Sequence, residues 1–182
     1  MHNTKYSNNI NFHIFKKCKT ETIYLDIGAN VGTTSLPVAI HNKNIEVHAF
    51  EPNPKIFQSL ETNKSLNNCD NLTLHKLAVG SKKGKLPLFV TSKEKANFGN
   101  SSFQKNTIKN HEPTIIFEHN DKFLNDQGKI KSELEQFFLS NGYEVFEIDQ
   151  YDFYRLNPVN WKKKLKANLI AMKTDQFISS NF

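Results

Sequence analysis

Tyr24-Leu25-Asp26-Ile27-Gly28-Ala29-Asn30-Val31-Gly32 is an apolar strand running into a glycine turn, with a helix expected behind it. Its partner is Val47-His48-Ala49-Phe50-Glu51-Pro52-Asn53, a second strand that ends in an acid. Together they read as the nucleotide end of a Rossmann-like sheet. There the ligand sits beyond the carboxyl ends of the strands.

The glycine spacing narrows the ligand. Gly28 to Gly32 is Gly-x-x-x-Gly, preceded by Asp26. The dinucleotide fingerprint is Gly-x-Gly-x-x-Gly, which cradles a pyrophosphate on a helix start. That triplet is absent, and so is a P-loop Gly-Lys-Ser/Thr. An Asp just before the loop repels phosphate and suits a cationic ligand. S-adenosylmethionine carries both an ammonium and a sulfonium, so it is expected here rather than NAD. Gly28 and Gly32 remove Cβ atoms where a ligand approaches, and Gly28 can take positive φ. Asp26 is placed to accept hydrogen bonds from the ligand or to brace the loop amides. Glu51, 25 residues further on, can take both ribose hydroxyls.

The rest of the chain alternates in the same way. Thr22–Asp26 reads as a strand buried on both faces, Val31–His41 as a helix and Ile45–Phe50 as a strand. Pro54 opens a helix to about Asn67, and Leu72–Val79 is a third strand. Lys85–Val90 alternates as the return of a hairpin, and Gln104–His111 suggests one short helix. Thr114–Glu118 is a strand, Ile130–Asn141 an amphipathic helix closed by Gly142, and Tyr143–Ile148 a strand. Asp149–Leu165 reads as mixed loop and Asn168–Lys173 as a last strand, able to pair antiparallel with Tyr143–Ile148 at one edge. This is an α/β fold with a Rossmann-like sheet, mostly parallel with an antiparallel edge. The expected organisation is an N-terminal lead-in (1–21), one domain (22–173) and a C-terminal tail (174–182).

Composition bounds the function. The 182 residues are 37% apolar and 23% charged, which is a globular composition with enough chain for one core. Net charge is +6, but the lysines are scattered, and Lys82–Lys85 and Lys162–Lys164 read as solvated surface. No aromatic pattern of an RNA-binding module accompanies them, so no nucleic-acid partner is expected. The two cysteines, Cys18 and Cys69, lie outside any metal or Cys-x-x-Cys spacing and read as free thiols of a reducing compartment. No apolar run reaches the length of a membrane span or a signal core, which points to the cytoplasm. No metal site is expected; His48 and His75, inside strands, read as packing or edge residues.

These motifs resemble the FkbM-type methyltransferases. The resemblance rests on Leu25–Gly32, Ala49–Pro54, Ala78-Val79-Gly80 and Pro113–Glu118, with Gly142–Val145 and Asn168–Ala171 as the last elements. It covers roughly residues 22–173. It implies a class I methyltransferase fold and methyl transfer from S-adenosylmethionine to a hydroxyl of a sugar, polyketide or related small molecule. It implies a cofactor site of Asp26, Gly28, Asn30, Gly32 and Glu51, with Ala78 and Val79 near the adenine. The proton of the acceptor hydroxyl needs a base. The candidates at strand ends are Glu118, which matches the family pattern, His119 and Asp121; the plain alternative is that Glu118 and His119 are ordinary strand-end polar residues. Asn97, Asn100 and Ser101 are candidates for the acceptor side.

One part of the family pattern has no counterpart. Between Ser102 and Ile115 the family carries a further strand, ending in Asp-x-Glu-Gly, and a helix, and nothing here matches that motif. In the family this strand lies between the first strand and the one at Ile115. Its loss leaves two outcomes: those two strands pair directly, or the sheet stays unclosed and invites pairing with another chain. It also raises the alternative that the chain is a catalytically inactive remnant acting as a binding module. The acceptor and the oligomeric state are not legible.

Overall fold

The computed structural model describes residues 11, 14, 15, 17, 18, 21–79, 108, 110–121, 131–149 and 155–173. The expected hairpin strand Lys85–Val90, the Asn97–Ser101 loop and the tail at 174–182 lie outside these residues. The described part falls into two compact units, one within 11–104 and the other within 105–182. Among the described residues no helix is long and apolar enough to cross a membrane.

The first unit is a β-α-β-α-β run. β1 (Ile23–Ile27), α1 (Ser35–His41), β2 (Glu46–Phe50), α2 (Pro54–Leu66) and β3 (Leu72–His75) build a parallel sheet in the order β1-β2-β3. The register sets Asp26 beside Ala49 and Val47 beside Leu72. Each helix links a strand to its next neighbour in the same direction. Right-handed crossovers therefore place both helices on one face. Val47, Ala49 and Leu72 on that face are buried, with Leu36, Val38 and Ala39 of α1 and Phe57 and Leu60 of α2.

The other face differs from expectation. On the helix side of β1 Tyr24 and Asp26 are half-buried, while Ile23 and Leu25 on the other face are 62% and 49% exposed. The apolar run of β1 says that the strand is buried, but side chains alternate across a strand and only the layers above and below decide each face. α1 starts at Ser35 rather than Val31, because Asn30 (φ +53°) and Gly32 (φ +90°) hold residues 30–34 in a turn. Pro37 thus falls in the first helical turn, where its missing N–H would have had no intrahelical partner. Asn53 caps α2 with its side chain on the Lys55 amide, and Pro54 takes the first helical position. Cys18 and Cys69 are free thiols, and burial pushes that of Cys18 up to about 11.

The second unit is antiparallel. β4 (Ile115–Asn120), α3 (Lys131–Ser140), β5 (Tyr143–Ile148), β6 (Leu156–Pro158) and β7 (Lys166–Lys173) give a sheet in the order β4-β7-β5-β6. β7 is its centre, with Ala167 through Met172 all buried, the apolar run Leu169–Met172 and the polar Asn168 alike. It pairs antiparallel with both β4 and β5, so the pairing of the last strands is as expected, while the antiparallel part is larger than a single edge. β6, three residues ending in Pro158, was hidden in the aromatic loop. Phe146, Ile148, Ile170 and Met172 form a core cluster, with Ile116 and Leu156 against it. The Tyr143 hydroxyl donates to the Pro113 carbonyl at 3.0 Å, and burial pushes its pKa up to about 12.

Among the described residues the ladder of β1 is with β2 and that of β4 is with β7.

Candidate functional site

The carboxyl end of the parallel sheet gathers most of the expected cofactor residues. The turn after β1 is held by the end of β2: the Gly28 and Ala29 amides both donate to the Phe50 carbonyl, at 2.9 and 3.0 Å. Gly28 has φ +82°, a conformation that glycine adopts without strain, and nothing lies within 4 Å of where its Cβ would be. That open space is the approach a ligand needs. Gly32 does a different job. A Cβ there would stand 2.7 Å from Leu36 Cδ1, 2.8 Å from Leu60 Cδ1 and 2.9 Å from Leu36 Cγ, so its missing side chain serves the packing of α1 and α2.

The two acids brace this loop. Glu51 is buried, at 7% exposure. Its Oε2 accepts the Asn30 amide at 3.0 Å and its Oε1 the Asn53 amide at 2.8 Å. Each carboxylate oxygen keeps lone-pair capacity for a further donor. Asp26 Oδ2 accepts the Ser35 amide at 3.0 Å, one of the donors that the first turn of a helix leaves without a backbone partner. Burial raises the Asp26 pKa; the Ser35 hydrogen bonding pulls it down, and the charge of Glu51 pushes it up again. The carboxyl is therefore one that a cation would help to ionise. Ala78 is exposed and Val79 half-buried, in the segment that follows β3.

Glu118 and His119 belong to the other unit. As neighbours on β4 they point to opposite faces, Glu118 exposed and His119 buried. His119 Nε2 lies 2.8 Å from Asp121 Oδ1, and its ring meets Trp161 edge-on with centroids 6.0 Å apart. Asp121 Oδ2 also accepts from Lys131 Nζ at 3.2 Å and from the Leu165 amide at 2.9 Å. Burial opposes ionisation of Asp121, but the bonds from Leu165, His119 and Lys131 win and hold it at about 2. Asp121, read only as a third base candidate, is thus the anchor that fixes the His119 ring.

Because the folded value lies below the ordinary 3.8, the stabilisation is present above about pH 4 and lost as pH falls towards 2. Asp121→Asn is expected to cost about 1–3 kcal/mol in urea unfolding at pH 7. The difference from wild type should shrink as the pH is lowered from 4 towards 2. A difference that persists unchanged to pH 2 contradicts the ionised anchor.

One contact was out of reach of the sequence. His48 and His75 meet across the sheet, with His48 Nδ1 2.9 Å from His75 Nε2. Among the described residues no three metal-ligating side chains gather.

The parallel β-α-β-α-β unit with its acid-braced glycine turn, and the antiparallel strands around β7, define the Rossmann-like α/β fold of the class I methyltransferases. The structure is similar to the precorrin-6y C5,15-methyltransferase from Geobacter metallireducens GS-15, at a TM-score of 0.55 and 14% identity over 96% of this chain and 90% of that one. It is similar to P. horikoshii TYW2 in complex with MeSAdo, at 0.50 and 16% identity over 96% of this chain and 65% of that one. A match to coclaurine N-methyltransferase bound to N-methylheliamine and SAH has a TM-score of 0.36 and 19% identity; it covers 40% of this chain and spans only 22% of that one. A sequence comparison with curated proteins gave no match. The chain belongs to the Vibrio cholerae RfbT protein family, whose model matches residues 1–114.

Proposed function

We propose that the loop Asp26–Gly32 with Glu51 binds S-adenosylmethionine, and that the chain transfers its methyl group to a hydroxyl of a sugar, polyketide or other small molecule, in the manner of the FkbM-type enzymes that its motifs resemble. The observation that carries the reading is the paired acid arrangement. Glu51 is fixed by two amides with lone pairs to spare, and the half-buried Asp26, whose carboxyl burial pushes up, gains from a cationic neighbour. The residues fit the group: Glu51 would take the ribose hydroxyls, Asp26 would face the cationic part, and the open side of Gly28 would admit it. Ala78 and Val79 would border the adenine. TYW2, of the same fold, was solved with MeSAdo, which supports the choice of cofactor.

The cofactor supplies a sulfonium leaving group, so the protein's part is alignment and a place for the hydroxyl proton. Of the base candidates, His119 is the one whose ring is anchored. Its Nε2 faces the Asp121 carboxylate, which leaves Nδ1 as the nitrogen able to accept a proton. Glu118 is exposed on the opposite face of β4 and has no comparable anchor in the hydrogen bonds described.

The test uses S-adenosylhomocysteine, which keeps the ammonium. A cation favours ionised Asp26, so binding releases a proton where the raised carboxyl is still protonated. Affinity should rise with pH across that range, by at most about tenfold per pH unit for one linked proton. Asp26→Asn should bind weakly and without this slope; a variant that keeps the wild-type slope contradicts the role.

A second reading, a binding module without turnover, is favoured by the missing Asp-x-Glu-Gly segment and by the exposed Ile23 and Leu25 of β1. Binding of S-adenosylhomocysteine without methyl transfer to any hydroxylated acceptor would select it.

A further inference from the structure

The backbone groups that hold the cofactor loop belong to residues whose side chains are tied together on the opposite face of the sheet. β2 sends Glu46, His48 and Phe50 to the face away from α1 and α2, and β3 sends Thr73 and His75. His48 Nε2 lies 2.9 Å from Glu46 Oε1, and His48 Nδ1 lies 2.9 Å from His75 Nε2. The His75 ring lies nearly flat on Phe50, with centroids 4.4 Å apart and planes at 12°. The ionised Glu46 carboxylate only accepts, so His48 carries its hydrogen on Nε2. In the neutral pair His48 Nδ1 then accepts from His75 Nε2–H. Glu46 orders His48, His48 orders His75, and His75 covers Phe50.

The backbones of the last two hold the site. The Phe50 carbonyl accepts the Gly28 and Ala29 amides, and the His75 carbonyl accepts the Glu51 amide at 3.0 Å and the Leu77 amide at 2.9 Å. The β2–β3 ladder ends at the Phe50–His75 pair, and past it the Glu51 amide on the His75 carbonyl links the two strand ends. Apolar burial on this face is slight, since Leu25, beside His48 in the register, is half exposed. The ring contacts add a side-chain constraint to these backbone bonds at the strand ends.

We propose that His75, oriented by His48 and Glu46 and stacked on Phe50, is a positioning residue for the cofactor loop. Its ring fixes where the Phe50 and His75 carbonyls stand, and through them the Gly28–Ala29 turn and Glu51. The role in cofactor binding rests on the reading of the loop given above; the role in ordering the loop does not.

The experiment pairs S-adenosylhomocysteine calorimetry with amide hydrogen exchange on the full chain, comparing wild type, His75→Ala and His75→Phe. His75→Ala should bind about tenfold more weakly. Its Gly28, Ala29 and Glu51 amides should exchange faster, while the Val47 and Ala49 amides inside the sheet stay as in wild type. His75→Phe keeps the stack and should recover affinity to within about threefold of wild type. Unchanged exchange at Gly28, Ala29 and Glu51 in His75→Ala overturns the proposal, as does loss of protection throughout the sheet. A His75→Phe chain as weak as His75→Ala overturns the role of the stack. Should wild type bind no S-adenosylhomocysteine, faster loop exchange in His75→Ala still upholds the positioning, and only the cofactor reading falls.

Discussion

Gly32→Ala is expected to cost about 2–4 kcal/mol of stability, a large share of what a small domain has. Two costs add. At φ +90° any residue with a Cβ is strained, and left-handed backbone alone costs about 1–2 kcal/mol. The new Cβ would also stand under 3 Å from Leu36 Cγ and from the Cδ1 atoms of Leu36 and Leu60. The Cδ1 atoms can swing away by rotation about χ2, but Leu36 Cγ moves only if χ1 leaves its rotamer or the helix shifts. Gly28→Ala is the control. It meets the strain at φ +82° without the contacts, so it should cost about 1–2 kcal/mol. Urea unfolding of both variants reads the difference. Equal losses would show that the Leu36–Leu60 contact carries no weight and that Gly32 serves φ alone.

Glu51→Ala should have the largest effect on ligand binding, a loss of about a hundredfold or more in affinity for S-adenosylhomocysteine. The side chain holds the Asn30 and Asn53 amides, and both would lose their acceptor. The loop would lose its brace at the positive-φ residue Asn30 as well as the proposed ribose partner. Glu51→Gln separates these roles. Its oxygen can keep one amide bond, but its NH2 group faces the other amide, donor against donor. It should therefore fall between wild type and alanine. Calorimetry with S-adenosylhomocysteine, beside thermal unfolding of each variant, measures it. A Glu51→Ala chain that unfolds as wild type and binds as wild type contradicts both roles.

The site was more legible than the sheet around it, and the reason is distance along the chain. Asp26, Gly28, Asn30 and Gly32 fall in seven residues, and the acid and the positive φ open to Gly28 read directly, whereas the left-handed Asn30 and Gly32 do not, with a helix expected from Val31. Glu51 follows from the next strand end. The distinction between Gly28, open to a ligand, and Gly32, filled by leucines, is a packing fact that spacing alone does not carry. β3 ends at His75 and not at Val79, because its ladder with β2 stops where β2 does. β7 begins two residues early, at Lys166, since β4 continues to pair with it through Asn120. The exposure of Ile23 and Leu25 depends on which layers cover the face, and an apolar run does not state that. The His48–His75 and His119–Asp121 contacts differ in the same sense. The second joins residues two apart yet needs the strand's end to bring them round; the first spans 27 residues and two strands.

The resemblance to FkbM-type enzymes anticipated the class of fold. Among the described residues the strands fall into two sheets, in the orders β1-β2-β3 and β4-β7-β5-β6. The Asp26–Gly32 turn lies wholly in the parallel unit and is braced by contacts within that unit. The proposed cofactor binding therefore rests on β1, β2, β3 and the two helices that cover them.

The most direct measurement is isothermal titration of the wild-type chain with S-adenosylhomocysteine at neutral pH. The account predicts saturable one-to-one binding that Asp26→Ala and Glu51→Ala abolish. No heat in the wild type up to millimolar ligand would contradict it.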